Sequence, residues 1–378
     1  MGCSIMSELK VDTIVNLAGT GKPNLPVSPT LGGAAISAAN TYSYTSSGTE
    51  PSSPKNGAIW WDSSNNKVMV YINGEFKNIE LNGTYSSFDW GGDRGIVAGI
   101  ASGSNKDLMY FDISGSGGNS TDFGDLTVER SNFGAGGSPT RACFSGGYSG
   151  ATPNRNPTID YVTPSSPGNC TDFGDLTAGR NVCASASNGT RLLNAGGYIT
   201  TGYVNTVDYI TVANTGNATD FGDLSGVGEG MHGGGVADLT RAVFGGGIGG
   251  ATTNTIDYFT IATTGNATDF GDLVLAANRN TGCSDATRGI FCGGSSAHSP
   301  SYRNIEYITI QTTGNGTDFG DLTESSSSAA CTSNSTIGVH IAGDDMEKFT
   351  IQTPANATDF GDILQSKINM AASSGNPS

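Results

Sequence analysis

The chain has 378 residues, long enough to bury a core without disulfide or metal staples, and its 57 glycines with only 14% charged residues exclude a mainly helical fold. A net charge of −16 repels a phosphate backbone, and no run approaches the roughly 20 apolar residues of a membrane helix, so neither nucleic acid nor a bilayer is an expected partner. The seven cysteines, at 3, 143, 170, 183, 283, 292 and 331, are odd in number and unpatterned, which argues for reduced, packed thiols.

In chain order, 1–50 is polar and poor in aromatic residues, composition that builds no independent core, and it reads as an extended arm that orders against a partner. Its start carries Met6 where a myristoylation pattern needs Ser or Thr, and no apolar signal core follows. Within 51–90, Gly-Ala-Ile-Trp-Trp-Asp at 57–62, a Ser-Ser-Asn-Asn turn, 67–72, Asn73-Gly74 and 75–79 predict a small three-stranded β-meander.

Two pieces of this region carry a likeness: Ser-Glu-Leu-Lys-Val-Asp-Thr-Ile-Val-Asn at 7–16 and Pro-Lys-Asn-Gly-Ala-Ile-Trp-Trp-Asp at 54–62. They resemble the openings of virion structural proteins, tail fibres among them, of marine tailed phages that infect cyanobacteria. The resemblance implies a virion protein assembled in the cytoplasm of a bacterial host. It also implies an arm docked onto other virion proteins and a homo-oligomer in the particle.

From 91 to 378 the chain is repetitive. Thr-Asp-Phe-Gly-Asp begins at 121, 171, 219, 268, 317 and 358, a period near 50 residues, and its two aspartates account for 12 of the 34 acids. Each interval also holds a basic residue opening an apolar run, a Gly-Gly pair five residues later, and a β-branched run around an acid and an aromatic. Four strands result. In the interval ending at the third copy they are A over 181–186, B over 191–197 after the Asn188-Gly189 turn, C over 206–212 and D over 219–224.

The first copy lacks a strand A before Arg94, while 363–376 aligns without a gap on 176–189 and sets Lys367 on Arg180. The tail is therefore expected to supply that strand and close the ring as a non-covalent clasp. A Gly-Gly pair ending strand B with aromatics in strands C and D resembles the kelch repeat over about 285 residues. Phe123, Phe173, Phe221, Phe270, Phe319 and Phe360 stand where kelch blades carry Trp. The expected fold is all-β: a six-bladed kelch-like β-propeller with blade one closed by the C-terminal strand, preceded by the extended arm and the meander.

The chemistry readings follow from repeat phase. Asp-Phe-Gly lacks every accompanying kinase signature, and paired aspartates in a Gly turn supply too few ligands for calcium, so Asp122, Asp172, Asp220, Asp269, Asp318 and Asp359 read as structural. Arg94, Arg141, Arg191, Arg241 and Arg288 open strand B and read as a ring bonding those aspartates in neighbouring blades, in preference to an anion site. Asn119, Asn169, Asn217, Asn266, Asn315 and Asn356 head Asn-x-Thr triplets locked to the motif and read as bonding the C–D turn, without a glycan.

His232, His298 and His340 lie at different phases, and no nucleophile has a base nearby, so no catalytic residue, cofactor or metal is assigned. The B–C loops at 148–157, 198–205, 248–254 and 295–304 vary most. Their Tyr148, Arg155, Tyr198, Tyr203, His298, Tyr302 and Arg303 are the candidate ligand-binding residues. The sequence reading is thus a non-enzymatic virion protein whose propeller acts as a tail fibre or adhesin toward a host-surface glycan or protein. The alternatives are a head, neck or tail decoration or connector protein and a propeller enzyme acting on polysaccharide.

Overall fold

The computed structural model describes six short strands between 30 and 78 and, from 92 to 376, all residues except 101–105, 116, 151–153, 182, 227–228, 250, 286 and 297–300. The chain divides into two compact units, Met1–Thr84 and Tyr85–Ser378. In the first, Ile59–Asp62, Lys67–Ile72 and Glu75–Asn78 pair antiparallel in sequence order, and Thr45–Ser47 adds a parallel strand to Ile59–Asp62. The sheet thus has four strands and not three, and draws its extra strand from within 1–50. The rest of the expected arm, apart from the Thr30–Leu31 and Ala34–Ala35 pair, lies outside the described residues.

The second unit is an all-β propeller. Four of its sheets have four antiparallel strands each, in chain order from the axis outward. In the sheet of the third motif copy these are Ala184–Ser187, Arg191–Ile199, Gly202–Thr211 and Thr219–Asp223. The strand A segments pack side by side around the axis and are rich in Gly, Ala, Ser, Cys and Thr, small residues that let neighbouring strands approach closely. A Cβ on Gly234, for example, would approach the ring of Phe291, in the core of the neighbouring blade, to 2.7 Å.

The expected blade count is corrected: the propeller has five blades, not six. The sixth and first copies of the repeat are merged into one six-stranded sheet in the order Ala330–Ser333, Ile337–Thr350, Thr358–Gly375, Arg94–Ile100, Asp107–Asp112, Thr121–Asp125. In the last copy strands B and C run together as one strand, Ile337–Thr350, with almost no loop, and the motif strand continues without a break into the tail. One 18-residue strand therefore pairs first with Ile337–Thr350 and then with Arg94–Ile100, the latter through Ala371 opposite Ala98 and Gly375 opposite Arg94. The chain ends of the unit meet in this sheet.

The motif's glycine has a steric cause. In each copy strand C and strand D slip register by one residue at this point, a bulge that puts Gly124, Gly174, Gly222, Gly271, Gly320 and Gly361 at φ between 135° and 150°. A Cβ on Gly174 would run into the Gly216 carbonyl of the next copy. That approach lets the next C–D turn cover the outer strand: Gly216 and Ala218 N–H donate to the Phe173 and Asp175 carbonyls at 2.8 and 2.7 Å, and Gly118 and Ser120 do the same to Phe360 and Asp362. Each sheet edge is shielded by its neighbour.

Candidate functional site

Two sides of the propeller can be compared for function: the side of the A–B and C–D turns, and the side of the B–C loops. On the first, the repeated arginines and sequon asparagines have partners within the protein. The strand B guanidinium groups of Arg94, Arg141, Arg191, Arg241 and Arg288 lie 4.1–4.6 Å from the centroids of Tyr110, Tyr161, Tyr209, Tyr258 and Tyr307. Each tyrosine meets the motif phenylalanine edge to face, as Tyr161 does Phe173 at 5.9 Å. Each Nη1 donates to a carbonyl at the end of a neighbouring strand C, Arg141 to Val212 at 2.7 Å and Arg94 to Pro164 at 2.8 Å. These arginines do not bond the motif aspartates, which is a correction. Asp122, Asp172, Asp220, Asp269, Asp318 and Asp359 are exposed on the outer strands.

The acids that do bind across copies are those of strand C. Asp160, Asp208, Asp257, Glu306 and Glu347 are buried, and each accepts the backbone N–H two residues past the preceding motif, as Thr127 donates to Asp160 at 3.1 Å and Thr177 to Asp208 at 3.0 Å. Asp160 and Asp208 also hold the buried Arg130 and Arg180 at 2.8 and 2.9 Å. Burial pulls the Arg130 pKa down and Asp160 raises it again. In the first copy Met109 replaces the acid, and Lys367, buried at the Arg180 position, reaches Asp107 at 3.8 Å and the Gly99 carbonyl at 3.4 Å.

The sequon asparagines are likewise corrected. Their side-chain oxygens accept the N–H of the motif's second aspartate in the preceding copy, Asn169 from Asp125 and Asn217 from Asp175 at 3.1 Å, and Asn119 from Asp362 at 3.3 Å across the closure. The bond joins copies and is not internal to the C–D turn.

The B–C loop side is irregular. Tyr148 and Arg155 belong to one loop, Tyr198 and Tyr203 to the next, and the structure brings them together. The Arg155 guanidinium lies over the Tyr198 ring at 4.7 Å and its Nε donates to the Tyr198 carbonyl at 3.2 Å. Tyr198 and Tyr203 meet edge to face at 5.1 Å. Tyr148 and Tyr203 remain 40% and 37% exposed, large amphipathic surfaces offered to solvent. Tyr302 and Arg303 lie in a different sheet. The Tyr302 hydroxyl is 2.6 Å from the Ser296 Oγ, and the exposed Arg303 donates to the Leu322 carbonyl at 3.1 Å. His298 lies outside the described residues.

The loops adjoin the central channel, because the residue that enters strand A pairs with the start of a B–C loop: Ser131 with Tyr148, Asn181 with Tyr198, Asn278 with Ser295. The channel has a volume of about 190 Å3 and is lined by strand A of every copy. Inside it, hydroxyls of Ser187, Ser284, Ser333 and Ser374 donate to backbone carbonyls of the preceding copy. At its loop-side mouth stand Asn132, Asn181, Arg279, Ser328 and Asn369. These mouth residues were missed by sequence reasoning, and their signal was phase: each falls two or three residues before strand A in its copy.

Other reactive groups are packed away. Five of the six described cysteines are buried, and burial pushes the Cys143 thiol up to about 12. His340 is buried with its Nε2 3.0 Å from the Ser326 Oγ, and burial lowers its pKa to about 4. Among the described residues, no group of three or more His, Cys, Asp or Glu side chains is arranged to hold a metal ion, and no helix is long and apolar enough to cross a membrane. No family model matches this chain, and no curated protein matches it either.

Proposed function

We propose that this chain is a non-enzymatic, tail-fibre-like virion protein whose N-terminal arm docks onto other virion proteins while the B–C loop face of the propeller binds a host-surface glycan or protein. The observation that carries the binding half is the patch built from two loops, Arg155 stacked on Tyr198 with Tyr203 against it and Tyr148 nearby. Ring faces and a tethered cation at an exposed, non-repeating site are the chemistry of recognition, since tyrosine gives large contact area at low conformational cost. The virion half rests on the likeness of 7–16 and 54–62 to phage structural proteins.

Fluorescently labelled full-length protein should adsorb saturably to cyanobacterial cells, and the double variant Tyr198→Ala/Tyr203→Ala should lose that adsorption while melting like the parent. Absence of saturable adsorption by the parent would favour a decoration or connector role in which the propeller meets only other virion subunits.

A further inference from the structure

The residues that open strand A at the loop-side mouth, Asn132, Arg279, Ser328 and Asn369, all have left-handed backbone, with φ between 52° and 60°. Asparagine adopts this region readily, because its short amide bonds the local backbone; arginine gains nothing there and carries strain of about 1 kcal/mol or more. Arg279 is exposed, and among the described residues its guanidinium is in neither a hydrogen bond nor an ion pair, on a molecule of net charge −16. The mouth around it consists of Asn132, Asn181, Ser327, Ser328, Ile368 and Asn369, with no acid. The Oδ1 of Asn181 is buried there without a partner among the described residues, and two backbone hydrogen bonds, at 2.9 and 3.3 Å, tie Asn181 to Tyr198 of the aromatic patch.

We propose that this mouth binds the carboxylate of an acidic sugar, a uronate unit within a glycan. Arg279 takes the carboxylate with its two-pronged donor set, the asparagine amides and serine hydroxyls take the sugar hydroxyls, and the Tyr198–Tyr203 patch continues the site along the chain of sugars. The strained backbone holds the arginine at the axis, where no other described cation competes for the ligand. The inference rests on the glycan reading above and names its chemical class.

Titration of the full chain at low salt with digalacturonate, its neutral galactose analogue, inorganic phosphate and tetraglutamate tests it, read by calorimetry and saturation-transfer NMR. Digalacturonate should bind at least about tenfold more tightly than the neutral galactose analogue, the difference expected of one charge-assisted pair, and more tightly than phosphate or tetraglutamate, which lack the sugar hydroxyls. Arg279→Asn, which suits left-handed backbone, should keep or raise Tm and lose about tenfold or more, whereas Arg279→Lys should retain part of the affinity. The proposal is overturned if digalacturonate does not bind, if Arg279→Asn binds it as the parent does, or if phosphate or tetraglutamate binds as tightly. Should any of these occur while Tyr198-dependent adsorption to cells persists, only the uronate assignment falls. Uronate binding without cell adsorption removes the host-recognition role and leaves the site.

Discussion

The turn side and the loop side of the propeller are made from the same six copies of one repeat, and they differ in whether each polar group is already spoken for. On the turn side Arg141 is sandwiched between Tyr161 and the Val212 carbonyl and Asn169 holds Asp125, and beneath the B–C loops Asp160 holds Thr127 and Arg130; the neighbouring copies repeat the pattern. On the loop side Tyr148 and Tyr203 face solvent, and the Arg279 guanidinium has no partner among the described residues. A group whose hydrogen bonds are all satisfied within the protein has little left for a ligand. The repeated arginines, asparagines and strand C acids hold the ring, whereas the exposed loop tyrosines and the Arg279 guanidinium are free to bind.

The comparison breaks first at the closure. Deleting 364–378 removes the segment paired with Arg94–Ile100 and exposes that strand, and should lower Tm by about 10 °C or more or prevent folding. Unchanged melting of the truncated chain would show that the joint is dispensable. Next in size, Asp208→Asn leaves the buried Arg180 without its counter-charge and should cost about 3–5 kcal/mol in denaturant unfolding. A loss under about 1 kcal/mol would place the strand C acids outside the scaffold.

Two buried groups give the turn-and-core scaffold opposite pH dependences. His340 titrates near 4 when folded but near 6.5 when unfolded, so the unfolded chain takes up the proton first and this residue costs stability as pH falls from about 6.5 to about 4. Glu306, held up by burial to about 7 against 4.5, adds stability as pH falls from about 7 to about 4.5. His340→Phe installs the residue found at the equivalent positions Phe144, Phe244 and Phe291. Its Tm relative to the parent should rise between pH 7 and pH 5; a constant difference would mean that His340 does not titrate in the fold. The smallest effect belongs to the loop side, where Tyr148→Ala and Tyr203→Ala should each change stability by no more than about 0.5 kcal/mol. A larger loss would assign the patch to the scaffold.

Much of this was legible in the chain. A period near 50 residues, strand-forming runs with Asn-Gly and Gly-Gly punctuation, and a tail in phase with strand A specify an all-β propeller and its strand boundaries to within a few residues. Loop variability singled out the B–C loops that hold Tyr148, Arg155, Tyr198 and Tyr203, because those loops differ in length and sequence between copies. These are local signals, carried by alternation and turn chemistry within one copy.

Tertiary structure alone decided the partners. The merging of the last and first copies into one sheet, giving five blades, depends on pairing between 363–375 and strands on either side of it, and no period reports that. The strand B arginines meet carbonyls 63–71 residues away, and Asn119 reaches Asp362 across 243 residues. Arg279 stands among asparagines only once the strand A segments are gathered around an axis. Repeat phase tells which residues are equivalent. The closing of the ring tells which of them touch, since that depends on how neighbouring copies pack and not on their spacing along the chain.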